Sequence, residues 1–165
     1  MNRIVLSILV ENTAGVLSRV SGLFSRRGYN IDSLTVGVTA DPKYSRMTVV
    51  CMGDDSVLEQ IQKQVAKLED VRDVKVLKDT ESVARELILV KIRVGAEERH
   101  RVSSVVEIFR AKIVDVGVES MIIELTGGQS KLQAFIDLLA DYEILELART
   151  GITGLSRGTQ DVRYL

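Results

Sequence analysis

The chain has 165 residues, enough for one medium domain or two small ones with modest cores. Its 22 basic and 23 acidic residues give a formal net charge of −1, so no strong field of either sign is available to attract nucleic acid or an anionic membrane. The single cysteine, Cys51, excludes an internal disulfide and a cysteine-based metal cluster. Apolar runs such as residues 87–90 are interrupted by charge well before membrane-spanning length, so we expect a cytoplasmic protein.

The first half of the chain predicts the element order βαββαβ. Apolar, β-branched runs predict the strands, and apolar residues recurring on one face predict the helices. Gly28 stands where a left-handed helix cap is expected, and Asp41 with Pro42 marks the turn between the second and third strands. The predicted elements are a strand at residues 4–10, a helix with its apolar positions between 16 and 24, strands at 30–38 and 46–52, a helix with apolar positions between 57 and 68, and a strand at 71–77.

The second half predicts the same order again, after a join near residues 79–85. Gly127 and Gly128 separate its third strand from its second helix. The tail from Gly151 is rich in glycine, and we expect little regular structure there. The predicted elements are a strand at 87–94, a helix at 98–111, strands at 113–118 and 121–126, a helix at 131–140, and a strand at 144–148.

These elements predict an α+β fold of two tandem βαββαβ modules, each an antiparallel sheet with two helices on one face. The other face of each sheet has no helix to cover it. In the first module, Val5, Leu9, Thr48 and Val50 are candidates for that open face. We expect dimerisation or the other module to cover them, because an uncovered apolar patch is costly in water.

Motifs for catalysis are absent from the sequence. The only histidine, His100, lies between two arginines in a predicted helix and fits a solvated surface position better than a metal or a catalytic site. The chain has no G-x-S-x-G elbow, no phosphate-binding P-loop and no G-x-G-x-x-G stretch. Gly127 and Gly128 precede a helix that could cradle an anion, but a strand-to-helix loop explains them equally well.

Two known functions occur on folds with this strand order. RNA-recognition modules stack bases on aromatic rings of the central strands, and residues 4–10 and 46–52 contain no aromatic residue. An acylphosphatase-type hydrolase needs an arginine in the first strand-to-helix loop. Here that loop, residues 11–15, has none, and Arg19 lies one turn inside the helix. Both functions are disfavoured.

The loop before the first helix carries the chemistry of a binding site. Helix starts expose backbone N–H groups with a partial positive charge, which suits a carboxylate. Gly15 lets a ligand approach the backbone closely, and Asn12 offers an amide to an ammonium or a carboxylate. Val16, Leu17 and Ile31 suit an aliphatic side chain. From spacing alone, a plain helix cap by Asn12 or Thr13 fits as well, and Asn30 fits a turn.

Residues 10–20 read Val-Glu-Asn-Thr-Ala-Gly-Val-Leu-Ser-Arg-Val. Together with further stretches that keep their order along nearly the whole chain, they resemble the regulatory small subunit of acetohydroxyacid synthase, also called acetolactate synthase. The matching stretches are residues 10–20, 23–36, 45–48, 58–61, 63–64, 86–91, 108–110, 148–151 and 154–158.

The resemblance implies an ACT domain, a ferredoxin-like module that binds amino acids, at residues 1–79, and a related regulatory domain at residues 80–165. It implies a homodimer whose ACT sheets pair side by side. By position, the effector would contact Asn12, Gly15, Val16 and Leu17 of one protomer. Asn30 and Ile31 would reach it from the other protomer.

The resemblance also implies a function without catalysis by this chain. The family binds the large catalytic subunit, stimulates it and confers feedback inhibition by valine. The choice of effector stays open, because isoleucine or leucine would fit the same pocket chemistry. The reaction condenses pyruvate with pyruvate or 2-oxobutyrate, early in branched-chain amino-acid synthesis. Thiamine diphosphate, magnesium and FAD would belong to the large subunit and no cofactor to this chain. The alternative is a stand-alone amino-acid-sensing ACT protein that controls another enzyme or a transcription factor.

Overall fold

The structure, a computed structural model, describes residues 1–159 and forms two compact units. The first unit contains residues 1–84 together with residues 152–159, and the second contains residues 85–151. Both follow the predicted order βαββαβ. The elements are β1 Asn2–Glu11, α1 Val16–Arg26, β2 Ile31–Val38, β3 Tyr44–Gly53, α2 Asp55–Ala66, β4 Val71–Val76, β5 Ser82–Arg93, α3 Arg99–Phe109, β6 Lys112–Val116, β7 Ser120–Gly127, α4 Gln129–Leu138, β8 Ile144–Arg149 and β9 Thr153–Ser156.

The sheet of the first unit is antiparallel, with strand order β2-β3-β1-β4. Alternate residues of β1, namely Ile4, Leu6, Ile8 and Val10, face the two helices and join the core. On α1, four buried side chains recur at helical spacing and complete that core, which fixes the helix on one face of the sheet. They are Val16, Val20, Leu23 and Phe24. Gly28 follows α1 with φ +69°, as the predicted left-handed cap requires.

The open face of this sheet carries the residues predicted for it. Val5, Leu9, Thr48 and Val50 are all buried and alternate with the core positions of β1 and β3. Val5 and Val50 form a second apolar cluster with Leu77 and Ile152. Ile152 therefore covers part of this face. The sequence places this residue in the predicted second module, one of the two expected covers, whereas the structure assigns it to the first unit.

The tail also corrects the expectation of little regular structure after Gly151. Residues Thr153–Ser156 form β9, which pairs with β5, and the Thr35 hydroxyl donates to the Ile152 carbonyl at 3.0 Å. A Cβ on Gly154 would lie 2.9 Å from Leu77 Cδ1 and 3.0 Å from the Val83 carbonyl oxygen. The glycine therefore allows close packing of a strand, where the sequence suggested a loop.

The second unit has the corresponding sheet, with order β6-β7-β5-β8. Its core includes Ile88, Val90 and Ile92 of β5 and the edge-to-face ring pair Phe109–Phe135, whose centroids are 5.3 Å apart. The predicted second domain began at residue 80. The structure places the unit boundary after Ala84 and assigns residues 152–159 to the first unit, where Gly154 of β9 packs against Leu77 and the Val83 carbonyl. Residues 160–165 of that predicted domain lie outside the described residues.

An ion pair between a buried glutamate and a partly exposed arginine joins the two ends of the second unit. Arg149 donates from Nε and Nη2 to the two Glu86 oxygens at 2.9 and 3.0 Å, and Glu86 is 6% exposed. Replacing Glu86 leaves the Arg149 guanidinium, on a side chain that is 36% exposed, without this partner. We expect Glu86→Ala to lower the free energy of unfolding by about 2 kcal/mol, measured by urea denaturation followed by circular dichroism.

The matched control for this ion pair is Glu59→Ala, which removes an exposed bond to Lys63 of 2.6 Å. Both side chains of that pair are about two-thirds exposed, at 66% and 65%, and such surface pairs contribute about 0.5 kcal/mol. Equal losses in the two variants would contradict a stabilising role for the Glu86–Arg149 pair.

Candidate functional site

The loop between β1 and α1, residues 12–15, is held in place by Asn12. The Asn12 amide N–H donates to the Lys43 carbonyl at 2.8 Å, and the side-chain Nδ2 donates to the Pro42 carbonyl at 2.8 Å. Because a carbonyl can only accept, the Pro42 contact fixes which end of the Asn12 amide is nitrogen. The Asn12 Oδ1 atom is thereby left to accept from a donor such as a ligand ammonium.

Gly15 forms the N-cap of α1 in a left-handed conformation, with φ +86°, and no side chain caps the helix. The alternative that Asn12 or Thr13 is a helix cap is therefore wrong. The Arg19 amide donates to the Gly15 carbonyl at 3.0 Å, which is the first hydrogen bond of the helix. The amides of Leu17 and Ser18 come before it and have no carbonyl partner within the helix. These N–H groups and the positive end of the helix dipole make the loop suitable for a carboxylate.

The two aliphatic residues predicted beside Gly15 have different positions. Leu17 is 46% exposed and can contact a ligand with its side chain. Val16 is 3% exposed and packs in the core of the first unit, so only its backbone faces the loop. The structure thus places Asn12, Gly15 and Leu17 together at the start of α1.

Asn30 and Ile31 lie at the opposite end of the same sheet. Ile31 pairs with Cys51, and Cys51 pairs with Ile4 near the start of β1, whereas the loop follows Glu11 at its end. Seven residues of β-strand separate Ile4 from Glu11, which corresponds to about 23 Å. Within one chain, Asn30 and Ile31 therefore cannot share a small ligand with Asn12 and Gly15.

The strand β2, which begins at Ile31 directly after Asn30, is an edge of the sheet. Its outer part exposes Val36 and Val38, which are 47% and 60% exposed. The Asn30 Nδ2 donates to Asp32 Oδ1 at 2.7 Å, which holds the amide at the start of the strand. An edge strand presents unpaired backbone groups that can pair with another strand.

Charged residues around the loop were not identified from the sequence. Arg19 forms a two-bond ion pair with Asp70, and Arg72 forms an ion pair with Glu11. The Asp70 carbonyl also accepts the Glu11 amide at 2.9 Å, so the turn before β4 is bonded to the end of β1. The sequence did contain one indication that Arg19 lies near the loop. It follows Gly15 by four residues, a spacing that puts both on one face of α1.

The cysteine of the chain, Cys51, is free and buried. Burial raises the pKa of the Cys51 thiol to about 11, so that the thiol stays protonated at neutral pH. No cluster of three or more His, Cys, Asp or Glu side chains in the described part of the chain could hold a metal ion. Among these residues, no helix is long and apolar enough to cross a membrane.

Comparison with known proteins identifies the family. Residues 6–73 match the model of an "AHAS small subunit-like ACT domain", and residues 85–158 match that of the "small subunit of acetolactate synthase". The chain belongs to the acetolactate synthase small-subunit family. The resemblance noted from the sequence is thereby confirmed, as is the ACT assignment of the first module.

Members of the small-subunit family match along nearly their full length. The probable acetolactate synthase small subunit of Archaeoglobus fulgidus is 51% identical over 156 residues, covering 94% of this chain and 97% of that protein. The acetolactate synthase isozyme 3 small subunit of Escherichia coli is 49% identical over 162 residues, covering 98% and 99%.

A solved small subunit also has the same fold. The crystal structure of the acetolactate synthase small subunit from Thermotoga maritima superposes with a TM-score of 0.88 at 43% identity, over 96% of this chain and 99% of that one. The predicted α+β fold of two tandem ferredoxin-like modules is confirmed by this likeness and by the two sheets described above.

Proposed function

We propose that this chain is a regulatory subunit that activates the catalytic subunit of acetohydroxyacid synthase and confers feedback inhibition by valine. The observation that carries the proposal is the match of both modules to the small-subunit family, over residues 6–73 and 85–158. In this proposal, thiamine diphosphate, magnesium and FAD belong to the catalytic subunit, and the two subunits meet in the cytoplasm. The chain itself would regulate the activity of the catalytic subunit and contribute no catalytic group.

Valine would bind at the start of α1. Its carboxylate would accept from the backbone amides beside Gly15, where the helix dipole is favourable. Its ammonium would donate to Asn12 Oδ1, whose direction is set by the bond from Nδ2 to Pro42. Its isopropyl group would contact Leu17, an exposed aliphatic side chain that gains by burial.

A second copy of the chain would close this cavity. If the β2 edges of two copies pair antiparallel, the end of one sheet that carries Asn12 meets the end of the other that carries Asn30 and Ile31. Exposed Val36 and Val38 on β2 favour such an interface, because they lose contact with water there. The dimer explains how residues about 23 Å apart along one sheet can serve a single ligand.

Valine would act by stabilising one arrangement of this dimer, while the catalytic subunit prefers another. Coupling of this kind typically amounts to about 1–3 kcal/mol, which changes affinity between 5- and 150-fold. Inhibition is therefore expected to be partial rather than complete at saturating valine.

The direct test is reconstitution with the catalytic subunit. The purified chain should raise the rate of acetolactate formation by the large subunit at least about twofold. Valine should remove part of this increase, with a coupling free energy between valine and the large subunit of about 1–3 kcal/mol. The large subunit alone, with and without valine, is the control. Unchanged activity on mixing would contradict the proposal. Valine binding without activation would instead favour the stand-alone ACT sensor, which a pull-down with the large subunit distinguishes.

A further inference from the structure

The side chain of Arg19 lies directly over the bare backbone of Gly15. A Cβ built on Gly15 would be 2.8 Å from Arg19 Nη1. The guanidinium therefore lies immediately beside the helix start, next to the position proposed for the effector carboxylate. The helix geometry explains the placement, because Arg19 is one turn after Gly15 and side chains on a helix lean toward its N-terminus.

Asp70 fixes the orientation of this guanidinium by accepting hydrogen bonds from two of its three nitrogens. Nε donates to Asp70 Oδ2 at 2.5 Å and Nη2 donates to Asp70 Oδ1 at 3.1 Å. Within residues 1–159, the structure shows no hydrogen bond from Nη1. A planar guanidinium held on one edge by a carboxylate presents its remaining nitrogen in a fixed direction, which here is toward Gly15.

The position of Asp70 is itself determined by β1. Its backbone carbonyl accepts the Glu11 amide at 2.9 Å, one residue before the loop that contains Asn12. The hydrogen bond from Arg19 lowers the pKa of the Asp70 carboxyl, so that the pair is ionised at neutral pH. The pair carries no net charge, and the free Nη1 donor remains available to an anion.

We propose that Arg19 binds the α-carboxylate of the amino-acid effector through Nη1, and that Asp70 is the positioning residue that directs Nη1 to it. The inference rests on the proposed function, since it adds two residues to the same cavity. Charge-assisted hydrogen bonds are roughly twice as strong as neutral ones. The site therefore selects amino acids with a free carboxylate and rejects their amides, whatever their aliphatic side chain.

The test compares valine with valinamide, which keeps the ammonium and the isopropyl group but has no carboxylate. Isothermal titration calorimetry on the full chain should give at least about tenfold tighter binding of valine. In Arg19→Gln this preference should fall to about threefold or less, through weaker valine binding with valinamide little changed. Arg19→Lys should restore part of the preference, and Asp70→Asn should lie between the wild type and Arg19→Gln.

The matched control is Arg101→Gln, which removes an exposed arginine from the first turn of α3, where it lies 4.0 Å from Glu98. This variant should keep the full preference for valine. Equal weakening of valine and valinamide in Arg19→Gln would show a merely structural role, and an unchanged ratio would exclude contact with the carboxylate; either result overturns this inference alone. A wild-type chain that binds no valine would overturn the proposed function as well.

Discussion

Gly15→Asp is expected to abolish inhibition by valine while activation of the catalytic subunit is retained. The new Cβ would lie 2.8 Å from Arg19 Nη1 and must displace that side chain. The new carboxylate would stand where the carboxylate of valine is proposed to bind, and like charges at one site repel. We expect valine affinity to fall at least about tenfold, measured by titration calorimetry, and the strained φ of +86° to cost about 1–2 kcal/mol of folding stability.

A matched control, Gly158→Asp, separates the loss of valine binding from the effect of backbone strain on stability. Gly158 also has a positive φ, +77°, and no atom lies within 4 Å of a Cβ built on it. Gly158→Asp should therefore cost comparable stability and leave valine binding unchanged. Undiminished valine affinity in Gly15→Asp would show that the effector lies elsewhere.

Mixed dimers are expected to recover valine sites that both parent variants lack. Asn12→Ala damages the α1 half of each proposed cavity and Asn30→Ala damages the β2 half, so neither homodimer should respond to valine. A dimer with one chain of each kind has one cavity with both defects and one with none. Purified through two different tags, it should bind valine with about half the wild-type stoichiometry.

A second mixture controls for the effect of mixing itself. Asn12→Ala combined with Gly15→Asp places both defects in the α1 half, so that every cavity of the mixed dimer remains damaged. It should bind no more valine than its parents. Equal recovery in the two mixtures, or none in either, would contradict a cavity shared between protomers.

Local patterns were sufficient to predict the helices and the open sheet face. The spacing of Val16, Val20 and Phe24 predicts a helix with one buried side, and the structure buries all three. Val5 and Val50 were assigned to the open face by strand alternation, and both lie there. These features depend on neighbours a few residues away, which a single sequence displays directly.

Features that depend on distant residues were not predictable in the same way. Arg19 and Asp70 are 51 positions apart, and nothing in either local sequence indicates that they meet. β9 was missed because its glycine, Gly154, matches a loop pattern, while its real neighbours are Leu77 and Val83. The separation of Asn30 from Asn12 within one chain follows from strand register, which is visible only after the sheet is formed.

The contribution of β9 to the first unit has a consequence for how the chain matures on the ribosome. Domains generally fold from the N-terminus as they are synthesised. Here Val5 and Val50, made early, acquire their apolar neighbour Ile152 only after the whole second unit has been translated. The first unit is therefore the first to be synthesised and the last to gain its complete set of apolar contacts, because Val5 and Val50 lack their contact with Ile152 until that residue has been made.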